Sequence, residues 1–259
     1  MSGLHIDFRP NNFKEIIGNE STLLKLETQL TKEDGPHVYL FHGNRGCGKT
    51  TLARISAELV GCDQRDIMEI DVANNRGKDD ATKLISGIRF LPMFGKAKAY
   101  ILDEVHQGTP AYFNALLKTL EDTPGHVYFF LCTTDPQKVL TTVKSRCSQY
   151  AVEPLTQKEI VKLLEWVVTE EDVEFDRAEL KKISEVCEGI PREALIILDQ
   201  VIDLKPEDRL RAIETTKERE NQLIDLCRAL LEGKKWKVVA GILKGIKDEP
   251  ESIRHGVLG

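Results

Sequence analysis

Short apolar runs and longer amphipathic stretches alternate along the first three-fifths of the chain. The runs over 38–41, 67–72, 99–102, 128–132 and 149–152 are brief and nearly continuously apolar, so they read as strands buried on both faces. Between them, 51–60, 79–90 and 111–120 carry apolar residues at helical spacing. Strands that alternate with helices in this way predict an α/β domain with a parallel sheet covered on both sides, expected over 1–154.

After Pro154 the pattern becomes purely helical. Thr156 is placed to cap a helix, and Glu159, three residues on, completes a capping box. Helical spacing follows over 160–168, 177–187 and 191–202, the last opening with Gly189-Ile190-Pro191, where proline suits the first helical position. A small helical domain is therefore expected over 155–205. Lys205-Pro206-Glu207-Asp208 reads as a linker, followed by helices over 215–231 and 236–246. The segment 206–259 is expected to be a partial third helical domain, either cut short or completed by partner chains.

Composition narrows the picture in two ways. Net charge is −6, with 30% charged and 41% hydrophobic residues, so no overall basicity marks a nucleic-acid binder. Contact with DNA would have to come from a local patch or from a surface shared among subunits. No run approaches the ~18 apolar residues of a membrane span, and the N-terminus lacks a basic stretch followed by an apolar one. Cys47, Cys62, Cys132, Cys147, Cys187 and Cys227 are scattered with no C-x-x-C pair, which predicts free thiols in a reducing cytoplasm and no zinc or redox site.

The chemistry is concentrated at two places. Gly43-Asn44-Arg45-Gly46-Cys47-Gly48-Lys49-Thr50 fits the phosphate-loop pattern G-x-x-x-x-G-K-[ST], set between an expected strand and an expected helix that continues through Thr51. Backbone N–H groups of such a loop cradle phosphate oxygens at the positive end of a helix. Lys49 would reach the β and γ phosphates and the Thr50 hydroxyl would hold Mg²⁺. Cys47 reads as a small filler within the loop. The second place is Ala99-Tyr100-Ile101-Leu102-Asp103-Glu104, an apolar strand ending in two acids. Asp103 would bind the magnesium, directly or through water, and Glu104 would polarise an attacking water. The pair predicts Mg-dependent ATP hydrolysis.

Further motifs follow in order. They are Leu102-Asp103-Glu104-Val105-His106, then Phe113-Asn114-Ala115-Leu116-Leu117-Lys118-Thr119-Leu120-Glu121, Cys132-Thr133-Thr134-Asp135-Pro136-Gln137-Lys138, and Ser145-Arg146-Cys147. Near the N-terminus stand Phe8-Arg9-Pro10-Asn11-Asn12-Phe13 and Ile16-Ile17-Gly18-Asn19-Glu20. Over about 8–204 this set resembles the motor subunit of a sliding-clamp loader, the bacterial DNA polymerase III gamma/tau type within the AAA+ ATPases.

The resemblance implies an AAA+ sheet domain, a helical lid and the start of a helical collar. It implies that 8–18, with Arg9, Pro10, Ile17 and Gly18, wraps the adenine. Thr134, or Thr133 as second choice, would sense the γ-phosphate or the attacking water. Arg146 would act in trans as an arginine finger, and Arg192 would report the γ-phosphate to the lid; a guanidinium stays charged and can fork onto phosphate oxygens. Arg76 and Lys78, ahead of the 79–90 helix, would face DNA phosphates or simply form a solvated turn. The implied partners are the other subunits of a five-subunit spiral, a ring-shaped clamp and primer-template DNA, with no membrane. Between the phosphate loop and the acidic strand the family usually carries a four-cysteine zinc module. Here that interval holds only Cys62, so no zinc is expected and a phage-type or minimal loader is implied, in a bacterial cell or an infected host. Another AAA+ motor acting on DNA, such as a helicase loader or branch-migration motor, stays open. So does a non-hydrolysing subunit of the same assembly, although Lys49, Thr50 and Glu104 are all present.

Overall fold

The structure is a computed structural model and describes residues 3–245. Five strands, β1 (Val38–His42), β2 (Cys62–Asp71), β3 (Ala97–Asp103), β4 (Val127–Thr133) and β5 (Ser148–Ala151), form one sheet in the order β2-β3-β4-β1-β5. Every pairing is parallel, as the continuous apolar runs predict.

Alternation along each strand assigns side chains to two faces. Leu40, Tyr100, Leu102, Phe129 and Leu131 point to one, where they pack against α4 (Lys78–Ile88), α5 (Pro110–Glu121) and α6 (Thr141–Lys144). Tyr39, Phe41, Ala99, Ile101 and Phe130 point to the other, against α2 (Glu20–Leu30) and α3 (Lys49–Leu59). Each of the large side chains in this core contributes roughly 1.5–3 kcal/mol on burial, which holds both helical layers to the sheet.

Two departures from the sequence pattern have physical causes. Strand β2 begins at Cys62 rather than 67, and its register against β3 shifts between Cys62 and Ile67. It is an edge strand with many polar, exposed positions, so apolar residues (Ile67, Met68 and Ile70) cluster only in its second half. Helix α2 leaves only a weak trace in the pattern, because Leu26 and Leu30 alone in it are fully buried and its apolar stripe is narrow.

The helical region is built from α7 (Gln157–Glu170), α8 (Arg177–Val186) and α9 (Pro191–Val201), whose apolar faces share one cluster with Leu4 of the short N-terminal helix α1 (Leu4–Asp7). The capping box at Thr156 is present: Glu159 Oε2 accepts from the Thr156 N–H at 2.7 Å and the Thr156 hydroxyl accepts from the Glu159 N–H at 3.4 Å.

The linker expected at Lys205-Pro206-Glu207-Asp208 does not exist. Pro206 opens α10 (Pro206–Leu231), with Lys205 as its N-cap residue and Glu207 and Asp208 in its first turn. Proline lacks only an N–H that the first turn leaves unpaired, and the two acids suit the helix dipole, so the four residues that look like a break form a helix start. Arg209 then anchors α10 to the helical region, and Ile213 joins the same apolar cluster. Helix α11 is described over Trp236–Gly245; the expected end at Ile246 and the rest of 246–259 lie outside the described residues.

Candidate functional site

The order β3-β4-β1 brings the carboxyl ends of these three strands side by side, the usual place for a ligand in an open parallel sheet. The phosphate loop leaves β1, the acidic pair leaves β3, and Thr133 and Thr134 leave β4. Helix α3 starts at Lys49 directly after the loop, so its N-terminus faces the same cleft.

Backbone geometry explains the glycines. Gly43 has φ 152°, and a Cβ there would lie 2.1 Å from the Val152 carbonyl oxygen where the chain leaves β5. Gly48 has φ 97°, and a Cβ there would meet nothing within 4 Å, so its side toward the cleft is open for a ligand. Lys49 is 6% exposed, and its Nζ donates to the Gly43 and Asn44 carbonyls at 3.0 and 2.8 Å. Burial pulls the Lys49 ammonium below its ordinary pKa, while the nearby Glu104 and Asp103 carboxylates oppose the shift. The Thr50 hydroxyl donates to Asp103 Oδ2 at 2.8 Å.

A cleft of about 310 Å³ is lined by Lys49, Thr50, Asp103, Glu104, Arg192 and Asp71, together with Arg45, Gly46, Gly48 and Thr51. A second, mainly apolar cavity adjoins it and shares Gly46, Gly48, Thr51 and Arg192. Arg9, Pro10, Ile17 and Cys47 line this cavity, with Phe8, Leu163 and Leu195 from the chain's start and from the helical region. Gly18 does not line it; a Cβ on Gly18 would meet Leu155 Cδ2 at 2.5 Å, so that residue shapes the cavity wall by close packing.

The donor set fits magnesium and a triphosphate. A hydroxyl and a carboxylate at the mouth of a glycine loop are hard oxygen ligands, and Mg²⁺ is held by one or two carboxylates with phosphates completing its shell. The apolar cavity beside them fits a base.

Thr134 Oγ1 donates to Glu104 Oε2 at 3.1 Å, so these two candidates meet directly. Arg146 lies outside both cavities: its guanidinium donates to the Thr142 carbonyl at 2.7 Å and to Glu121 Oε2 at 2.9 Å. Arg76 and Lys78 are at the start of α4, where the Arg76 carbonyl accepts from the Thr109 hydroxyl. Two residues near the site escape a reading of the sequence. Asp71 ends β2 opposite Asp103 and lines the cleft. His106 stands 3.3 Å from Glu104 Oε2, and its position in Asp103-Glu104-Val105-His106 is the only signal for it along the chain.

Residues 63–156 match the family described as DNA polymerase III, delta subunit. DNA polymerase III subunit tau of Bacillus subtilis is 35% identical over 229 residues, 78% of this chain, and the Escherichia coli tau subunit is 36% identical over 216 residues, 75% of the chain. Among solved structures, the RuvB Holliday junction branch migration motor of Thermotoga maritima superimposes with a TM-score of 0.71 at 22% identity, covering 93% of this chain and 86% of that one. Over about three-quarters of its length the chain is similar to the tau/gamma subunits of DNA polymerase III, and its fold is that of an AAA+ protein. At 22% identity the RuvB likeness speaks for the AAA+ fold alone, whereas the tau similarity extends through the sequence. The matches span 41% of the Bacillus subtilis protein and 34% of the Escherichia coli one, so this chain corresponds to a part of those longer relatives.

Proposed function

We propose that the chain is the ATP-hydrolysing motor subunit of a sliding-clamp loader, working at the interface with a neighbouring subunit to open a ring clamp and place it on primer-template DNA. The observation that carries the reading is the pairing of Thr50 with Asp103 at the mouth of a glycine loop, within a chain 35% identical to a tau subunit. The described residues up to 154 would form the AAA+ domain, 155–205 the lid, and 206–245 would contribute to a collar, in a cytoplasmic assembly of five subunits.

In this reading the loop amides and Lys49 bind the phosphates, and Arg9, Pro10 and Ile17 enclose the base. Thr50 and Asp103 hold Mg²⁺, which neutralises charge on the phosphates when bound. Glu104 turns a water toward the terminal phosphate and Thr134 orients that carboxylate. Arg192 reaches the same cleft from the helical region, so phosphate contact there ties nucleotide state to lid position. Arg146 serves the site of the adjacent subunit, which accounts for its place outside both cavities of its own chain. Arg76 and Lys78 contribute phosphate contacts to DNA threaded through the assembly.

The test is steady-state ATP hydrolysis by the full-length protein with its partner subunits, with and without a ring clamp and primed DNA. Stimulation that requires both clamp and primer-template supports the proposal. Hydrolysis driven by DNA alone, with strand or junction movement, would assign the chain to a translocating motor instead.

A further inference from the structure

We propose that His106 is a positioning residue for hydrolysis: its ring, anchored through Nδ1 on Thr133, stands against Oε2 of the Glu104 carboxylate, the oxygen that also accepts from the Thr134 hydroxyl. This deepens the ATPase reading and rests on it.

The arrangement is specific. Glu104 sits in the left-handed region, with φ 47°, at the turn from β3 into the short 3₁₀ segment Val105–Gln107. That turn brings the His106 side chain, 8% exposed, back under the Glu104 carboxylate. His106 Nδ1 lies 3.0 Å from Thr133 Oγ1 and 3.3 Å from Glu104 Oε2. Thr133 is fully buried, and its hydroxyl oxygen also accepts from the Asp135 N–H at 3.0 Å. The ring's other nitrogen, Nε2, stands 3.0 Å from the Gln107 amide nitrogen. A carboxylate only accepts, so the tautomer that suits this contact carries its proton on Nδ1, and the Gln107 amide then donates to a bare Nε2. This tautomer is compatible with all four contacts.

The consequence concerns one oxygen. Thr134 Oγ1 and His106 Nδ1 both address Oε2 of Glu104, and no hydrogen bond holds Oε1 among the described residues. The carboxylate therefore has one oxygen contacted by two neighbours and the other available to a water in the cleft. A general base gains from such fixing, because small displacements of a reacting group cost large factors in rate. Thr134 and Thr133, on which His106 is anchored, both lie at the end of β4, so a shift of that strand end would disturb both supports.

Two variants separate positioning from packing. The amide nitrogen of asparagine occupies the place of Nδ1, while that of glutamine occupies the place of Nε2. In the full-length protein with its partner subunits, His106→Gln is expected to lower kcat about tenfold or more, and His106→Asn to stay within about threefold of the parent. Affinity for a fluorescent ATP analogue and the melting temperature should be unchanged in both. In the nucleotide-free chain, ¹⁵N NMR of the ring should find the proton on Nδ1. Equal activity of the two variants, or a proton on Nε2, would overturn the proposal. Glu104→Gln in parallel keeps the two failures apart: if it abolishes turnover while His106→Gln does not, the ATPase reading stands and the role of His106 falls. Full turnover by Glu104→Gln would sink both.

Discussion

Thr50 Oγ1 donates to Asp103 Oδ2 across 2.8 Å, joining the first turn of α3 to the end of β3. The two residues are 53 positions apart, and their meeting brings two separate sequence motifs together as the proposed metal-binding pair. In the proposed site Thr50 and Asp103 would hold Mg²⁺, which would supply charge neutralisation at the phosphates. Asp103→Asn should therefore bind nucleotide with the same affinity in Mg²⁺ and in EDTA, while the parent weakens by about tenfold or more when the metal is removed. Titration with a fluorescent ATP analogue, with and without EDTA, measures the difference; a variant that still responds to Mg²⁺ would remove Asp103 from the metal site.

The glycines of the phosphate loop should not be equally sensitive. A methyl group on Gly43 would sit 2.1 Å from the Val152 carbonyl oxygen, and both atoms belong to backbone held by the sheet. On Gly48 it meets nothing within 4 Å, leaving only the left-handed backbone to strain. Gly48→Ala should cost about 1–2 kcal/mol, and Gly43→Ala more than that. Denaturant titration of the two variants gives the order, and equal stability would contradict it.

The same residues mark where the sequence is readable. The central strands are visible because both faces are buried, and the phosphate loop because its spacing carries its own chemistry. The four residues at 205–208 mislead because proline and acids serve a helix start as well as a break, and only the anchoring of Arg209 decides between the two. His106 and Asp71 cannot be tied to the site from spacing alone, since a turn with positive φ and a strand pairing bring them there. Arg146 stands apart from the cleft in a single chain, and the role proposed for it needs a neighbour that the sequence implies only by resemblance.

The proposed trans role of Arg146 has a direct consequence. Its guanidinium is held by the Thr142 carbonyl and by Glu121, and neither contact involves the chain's own cleft. Arg146→Ala should keep nucleotide affinity within about twofold and lose clamp- and DNA-stimulated hydrolysis by about 100-fold or more. Mixing it with a Glu104→Gln subunit tests the direction of action, because the defect should appear in the neighbour's site. Near-normal turnover in the assembled variant would end the finger assignment.

Arg209 is the anchor between α10 and the helical region. It is 6% exposed and donates to the carbonyls of Leu204, Glu174 and Ile202 at 2.9, 2.7 and 3.2 Å. Its guanidinium lies 3.9 Å over the Phe175 ring and 3.8 Å from the buried Glu179 carboxylate. Arg209→Met keeps most of the apolar stem but leaves these carbonyls and Glu179 without their donor. A loss of about 3–5 kcal/mol is expected, the usual cost of removing one partner from a buried charged pair. Guanidinium denaturation of parent and variant reads it; a change below about 1 kcal/mol would show that α10 is held by its apolar contacts alone.

Asp66 gives the chain a predictable weakness to acid. The residue is 4% exposed on β2, and its carboxylate accepts from the Met93, Phe94 and Gly95 N–H groups at 2.9, 2.8 and 2.7 Å. Burial alone would push this carboxyl up, but the three N–H donors outweigh it, with Lys98 adding to them, and hold it below the ordinary value of 3.8. A carboxyl depressed in the folded state contributes stability that is complete above its unfolded pKa, and loses it as pH falls through the folded one. The contribution should therefore persist from neutral pH to about pH 4 and fade below. The three N–H groups belong to the loop that presents Met93 and Phe94 to solvent, so its geometry should loosen over the same range. Asp66→Asn has no charge to lose: it should be less stable than the parent at pH 7, and the gap should narrow as pH drops from 4 toward 3. Melting temperatures of both proteins across pH 3–7 decide it, and a gap that stays constant would mean that Asp66 acts by shape and not by charge.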